Sequence, residues 1–121
     1  MERAHKKLRV WQESMLLVKV IYDLTRFLPD DEKYGLITQM RRAAVSVPSN
    51  VAEGSARQTK KESIQFYMIA RGSLSELDTQ IELCEVLGLL TSAQNTKASA
   101  QLETVGALLN GLIRFKKAPT Q

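Results

Sequence analysis

The chain has 121 residues, 44% of them hydrophobic and 25% charged, with a formal charge of +4. That length suits one domain with a single core, and six glycines and three prolines are too few for a disordered or turn-rich chain. No apolar run approaches the roughly 20 residues a bilayer-spanning helix needs, and the single cysteine, Cys84, excludes an intrachain disulfide. A cytoplasmic location is the expectation, since the first residues also lack the apolar core of a signal peptide.

The first predicted helix spans about residues 8–28. Leu17, Ile21, Leu24 and Leu28 form one apolar stripe, and Trp11, Met15, Val18 and Tyr22 form another. A helix on a simple bundle surface needs one stripe, so the second suggests self-association. Pro29 closes the helix, and Asp30 or Asp31 is expected to cap the next.

The second helix spans about 35–54. Leu36, Met40, Ala43, Val47 and Val51 keep helical spacing straight through Pro48. A mid-helix proline removes one backbone bond and clashes with the carbonyl four residues back, at about 3 kcal/mol. The unbroken pattern therefore predicts a helix kinked at Pro48 and held by its neighbours. Ser46 and Ser49 flank the kink, and Asn50 is placed to bind its backbone. Arg42, Ser46, Ser49 and Glu53 share a second face. This is either a solvated stripe or, as preferred here, a buried or interfacial polar network. In that network Arg42 pairs with an acid such as Glu53 or Glu76, within one chain or between subunits.

The third helix spans about 60–88. It opens on a capping-box pattern, Thr59 with Glu62, and carries Tyr67, Ala70, Leu74, Leu77, Ile81 and Cys84 at three- and four-residue spacing. Phe66, Ile69, Ser73, Glu76 and Gln80 trace a mixed stripe suited to a second subunit. The fourth helix spans about 92–117, opens on a weaker box, Thr91 with Gln94, and has Ala98, Leu102, Val105, Leu109 and Leu112 as its core stripe. Gly106 and Gly111 either permit close helix contact or only loosen this helix. Residues 1–121 are thus expected to form one all-α domain, an antiparallel up-down-up-down four-helix bundle joined by short connections.

Nothing in the chain assembles catalytic chemistry. His5 is the only histidine, Cys84 falls on an apolar position, no cluster has zinc-ligand spacing, and Asp78, Glu82 and Glu85 read as a solvated ridge. The expectation is a protein without enzymatic activity, cofactor or metal. The charge is uneven: residues 1–61 hold twelve Lys or Arg against seven Asp or Glu, and residues 62–121 hold five against six. Two basic clusters are candidate phosphate ligands: Arg3, Lys6, Lys7 and Arg9 before the first helix, and Arg57, Lys60 and Lys61 between the second and third. The alternative is that they only solubilise helix ends. No aromatic interleaves with these clusters, since Trp11 and Tyr22 read as core, so any binding is expected to follow the nucleic-acid backbone with weak sequence preference.

The stretch Gln39 to Gly54, with Arg41-Arg42-Ala43-Ala44, Pro48-Ser49-Asn50 and Ala52-Glu53-Gly54, resembles the signature of proteins encoded in intervening sequences of bacterial 23S ribosomal RNA genes. The accessory variability determinant of diversity-generating retroelements is related. Val10-Trp11-Gln12, Ile21-Tyr22, Glu32-Lys33-Tyr34-Gly35-Leu36, Ala70-Arg71-Gly72-Ser73 and Ser75-Glu76-Leu77 extend the likeness over about residues 8–115. The resemblance implies a four-helix bundle assembled as a ring-like homopentamer. It further implies an oligomeric scaffold that binds RNA or DNA, or a reverse transcriptase or other nucleic-acid-processing protein. The alternative is a purely structural or protein-interaction oligomer whose basic charge is incidental.

Overall fold

The computed structural model describes residues 3–119, which are all-α: among them there are four long helices and no strand. These are α1 (Arg9–Thr25), α2 (Leu36–Ser55), α3 (Lys60–Val86) and α4 (Ser92–Lys117), with short 3-10 turns at Ala4–Lys7 and Asp30–Glu32. The predicted boundaries agree to within one or two residues, except at the end of α1. There the last turn tightens, with Phe27 and Leu28 N–H groups reaching Leu24 and Thr25 carbonyls, before Pro29 stops it.

Each helix touches the next in chain order, and α1 also touches α4. Contacting pairs on α2 and α3 run in opposite chain order. Ser63 Oγ donates to the Gly54 carbonyl at 2.7 Å, Ser73 Oγ meets Ser46 Oγ at 2.8 Å, and Cys84 Sγ lies 3.8 Å from Met40 Sδ. Gln101 on α4 reaches the Glu13 carbonyl on α1 at 2.8 Å. The predicted stripes face inward: Leu17, Ile21, Met40, Val47, Val51, Tyr67, Leu77, Cys84, Val105 and Leu109 are all buried in one cluster.

Two capping expectations change. Neither Asp30 nor Asp31 caps α2; its N-cap is Gly35, and the Glu32 carboxylate accepts from the Leu36 N–H at 3.1 Å. The Thr91–Gln94 box, expected to be the weaker, is the complete one, with both reciprocal bonds made. At α3 the Thr59 hydroxyl accepts from the Glu62 N–H, but the Glu62 carboxylate takes the Thr59 hydroxyl rather than its backbone.

The helix α2 continues through a buried Pro48. Ser49 Oγ donates to the Val45 carbonyl at 2.8 Å, and Asn50 Nδ2 donates to the Ser46 carbonyl at 2.8 Å and its hydroxyl at 3.0 Å. Side chains thus bond the Val45 and Ser46 carbonyls beside the proline, whereas the carbonyl that loses its helical N–H donor to Pro48 is that of Ala44. Of the two α1 stripes only the Leu17 stripe is fully buried; Trp11, Val18 and Tyr22 are half-buried and Met15 is 47% exposed. On α3, Ile69 is likewise 52% exposed, but Gln80 of the same mixed stripe is buried within the chain, so that stripe does not face outward along its whole length. Gly106 has no neighbour within 4 Å of a built Cβ and Gly111 only Arg114, so within one chain neither marks close helix contact.

Candidate nucleic-acid interface

The two basic clusters, distant in sequence, meet at one end of the bundle. The Ala4–Lys7 turn folds back on α1, where His5 packs edge-on against Trp11 at 5.1 Å and Gln12 donates to the Lys6 carbonyl at 2.9 Å. A shallow depression lined by Arg3, Ala4, His5, Ser49, Glu53 and Ala56 joins that turn to the end of α2. A second, lined by Ala4, Leu8, Ser55, Tyr67, Leu112 and Lys116, joins it to the start of α3 and the end of α4. Lys60 Nζ donates to the Ala118 carbonyl at 3.2 Å, which ties the α3 start directly to the α4 end.

This gathering adds three cations that nothing in the sequence groups with the others: Arg114, Lys116 and Lys117, in the last turn of α4. Segments 3–9, 53–62 and 114–119 together carry ten Lys or Arg against only Glu53 and Glu62. The remaining described residues carry seven against ten. The chain is therefore electrically polar, with one basic pole and a mildly acidic body, although its net charge is only +4. Lys60 and Lys61 also sit in the first turn of α3, where the helix dipole is already positive. The pole is built on backbone termini and flexible side chains, the arrangement that phosphate oxygens accept without a fixed motif.

The predicted polar network is only partly assembled within the chain. Ser46, Asn50 and Ser73 are joined, and Ser49 serves the backbone. Arg42, however, is exposed and makes no ion pair or hydrogen bond among the described residues. Glu53 pairs instead with Arg57, one turn on, and Glu76 stays exposed. The spacing on α2 explains the exchange, because Arg57 lies four residues after Glu53 on the same face while Arg42 is three turns away. Its neighbour Arg41 is the arginine that docks. Arg41 Nε donates to Thr25 Oγ1 at 2.9 Å and Nη2 to the Tyr22 carbonyl at 3.4 Å, with its guanidinium 4.4 Å from the Tyr22 ring centre. Arg57 stacks similarly, 4.8 Å from the Phe66 ring centre, so an aromatic does accompany the basic pole.

Among the described residues no group of three His, Cys, Asp or Glu side chains comes together at metal-binding range. Glu85, read as part of a solvated ridge, receives Asn95 Nδ2 at 3.0 Å. Cys84 is fully buried, and burial first, then the Glu32 carboxylate, pushes its thiol above the ordinary cysteine range. The expected result is a thiol that stays silent to dithionitrobenzoate in the native protein and reacts promptly in denaturant. Rapid native labelling would contradict the burial.

Residues 6–111 match the family model described as 23S rRNA-intervening sequence protein. The chain belongs to that family. A crystal structure from this fold group, a protein of unknown function from the S23 ribosomal protein family of Bacteroides thetaiotaomicron VPI-5482, is similar, with a TM-score of 0.79. The two are 23% identical, and the likeness covers 87% of this chain and 95% of that one. At that identity the comparison speaks for the family fold alone. No curated protein matches the chain. No helix among the described residues is long and apolar enough to cross a membrane.

Proposed function

We propose that this protein is a non-enzymatic, cytoplasmic scaffold that assembles as a homopentamer of antiparallel up-down-up-down bundles and binds nucleic acid through its basic pole. The observation that carries the reading is the polar charge distribution: ten cations against two acids on three converging segments, with an acidic excess elsewhere. Charge placed only for solubility would be interspersed. A concentrated, flexible cationic surface instead supports contact with phosphates, and a ring of such subunits multiplies a weak site through avidity. The oppositely ordered contacts of α2 with α3 support the antiparallel reading, and the half-exposed stripe of α1 and the exposed Ile69 of α3 support self-association. The family name refers to 23S rRNA, which is in keeping with a nucleic-acid partner. A reverse transcriptase or another nucleic-acid-processing protein is the partner class the resemblance implies.

A second reading, an oligomer that serves structure or protein interaction alone, draws on the exposed apolar side chains Leu16, Met68 and Ile69. Light scattering separates the two. The expected native mass is about five times 13.6 kDa, rising further with structured RNA at low salt and falling back at moderate salt. A pentamer indifferent to RNA supports the second reading, and a monomer overturns the assembly common to both.

A further inference from the structure

We infer that a cleft between α1 and the start of α2 is a second nucleic-acid site, one that takes an unpaired nucleobase together with its adjacent phosphate. This inference rests on the scaffold reading above and extends it to the other end of α2. The cleft has a volume of about 360 Å³ and is lined by Tyr22, Lys33, Tyr34, Thr38, Arg41 and Arg42. Those side chains include three cations, two phenol rings and no acid. That combination is what a base and a phosphate require together: a flat apolar face for the one, and N–H donors for the other.

The parts are held to different degrees. Tyr34 is 88% exposed, an unusual position for an aromatic side chain, and only the Lys33 ammonium stands over its ring, 5.7 Å from the centre. The rest of the ring is open to stacking. Its backbone is not loose, because the Thr38 hydroxyl donates to the Lys33 carbonyl and the Gly35 N–H reaches the Glu32 carbonyl at 3.0 Å. Arg41 is fixed by Thr25 and Tyr22, which use two of its five N–H donors and leave the rest for a ligand. Arg42, exposed and without an ion pair among the described residues, adds a mobile charge beside it. A rigid guanidinium, a mobile one and an open ring form a graded site for a nucleotide. The bidentate fork of arginine suits its phosphate.

Binding at the basic pole follows charge density, so it favours duplex over single strand. A single-strand preference therefore reports the cleft. The test is fluorescence anisotropy with a labelled single-stranded RNA of about ten nucleotides, compared with a duplex of the same length. The wild-type protein is expected to bind the single strand about tenfold more tightly than Tyr34→Ala does, within the roughly fivefold to hundredfold range that one stacked base contributes. Tyr34→Ala should retain wild-type duplex affinity, and Tyr34→Phe should restore the strand. Arg42→Ala should weaken the strand alone. Competition by adenosine monophosphate would make a free nucleotide the ligand; its failure to compete would make it the strand. Equal single-strand binding by wild type and Tyr34→Ala overturns the cleft while leaving the pole standing. Equal competition by polyglutamate also overturns it, because no base is then read. Absence of binding to strand and duplex alike overturns both sites.

Discussion

Replacing Gly54 by alanine is expected to lower stability by about 2 kcal/mol, while the same change at Gly72 raises it by up to about 1 kcal/mol. A Cβ at position 54 would lie 2.6 and 2.9 Å from two Tyr67 ring carbons and 3.0 Å from the Ser63 carbonyl oxygen. None of these can easily retreat. The Tyr67 ring is buried and its hydroxyl is 3.0 Å from Ser55 Oγ, while the Ser63 carbonyl belongs to the first turns of α3. Alanine recovers about 1 kcal/mol of helix propensity, and overpacking a rigid contact costs about 1–3 kcal/mol. Three simultaneous close contacts put this site at the upper end, so strain prevails. Gly72 has no neighbour within 4 Å of its Cβ, so only the propensity gain remains. Thermal unfolding at one fixed protein concentration should show Gly54→Ala melting about 8 °C lower and Gly72→Ala a few degrees higher. If Gly54→Ala melts with the wild type, α2 and α3 do not approach as described at that end. A drop at Gly72 would mean that another subunit covers its outward face.

The second large effect concerns the pole. The double substitution Lys60→Glu and Lys61→Glu should weaken duplex RNA binding by about 60-fold at 0.1 M salt and flatten the salt dependence by about 1.8 in log–log slope. Both figures follow from two lost phosphate contacts, each releasing about 0.9 counterion, and acid repulsion adds to the affinity loss. Lys60 also donates to the Ala118 carbonyl, so circular dichroism must show unchanged helicity for the comparison to stand. Lys60→Gln with Lys61→Gln provides the control, flattening the slope by the same amount without introducing repulsion. An unchanged slope in both variants would remove these lysines from the interface and with them the basis of the pole reading.

Much of the fold was legible because its signals are local. Thr59, Thr91 and Pro29 mark helix ends through their own chemistry, and the stripes of α2 and α3 predict the buried residues almost one for one. The passage of α2 through Pro48 was legible for the same reason: the apolar spacing on both sides keeps one phase. The site was less so. Periodicity turns 100° per residue and cannot say which of two adjacent arginines meets a neighbouring helix. Arg41 therefore docks on Tyr22 where Arg42 had been the candidate. Arg114, Lys116 and Lys117 lie more than fifty residues from the other cations of the pole, and only packing brings Lys116 beside Ala4. Tyr34 lies in the polar turn 29–35, whose composition favours exposure but does not say that the ring stands beside Arg41 and Arg42. Glu32 displaced the expected aspartate caps because a 3-10 turn, too short to show a period, swings it over Leu36.

A body with unlike ends carries an electric moment as well as a charge. In the field of a polyanion it experiences a torque before it experiences contact. With the proposed pole as the docking face, Arg3, Lys61 and Lys117 would meet the strand first, while the acidic ridge of α3, Asp78, Glu82 and Glu85, lies outside that pole. Docking two specific patches ordinarily slows association because most collisions are misoriented. In the proposed complex the moment would select the productive orientation during approach, and that gain would fade as ions shorten the range of the field. The convergence of three chain segments at one pole therefore bears on how quickly a complex forms, separately from how long it lasts.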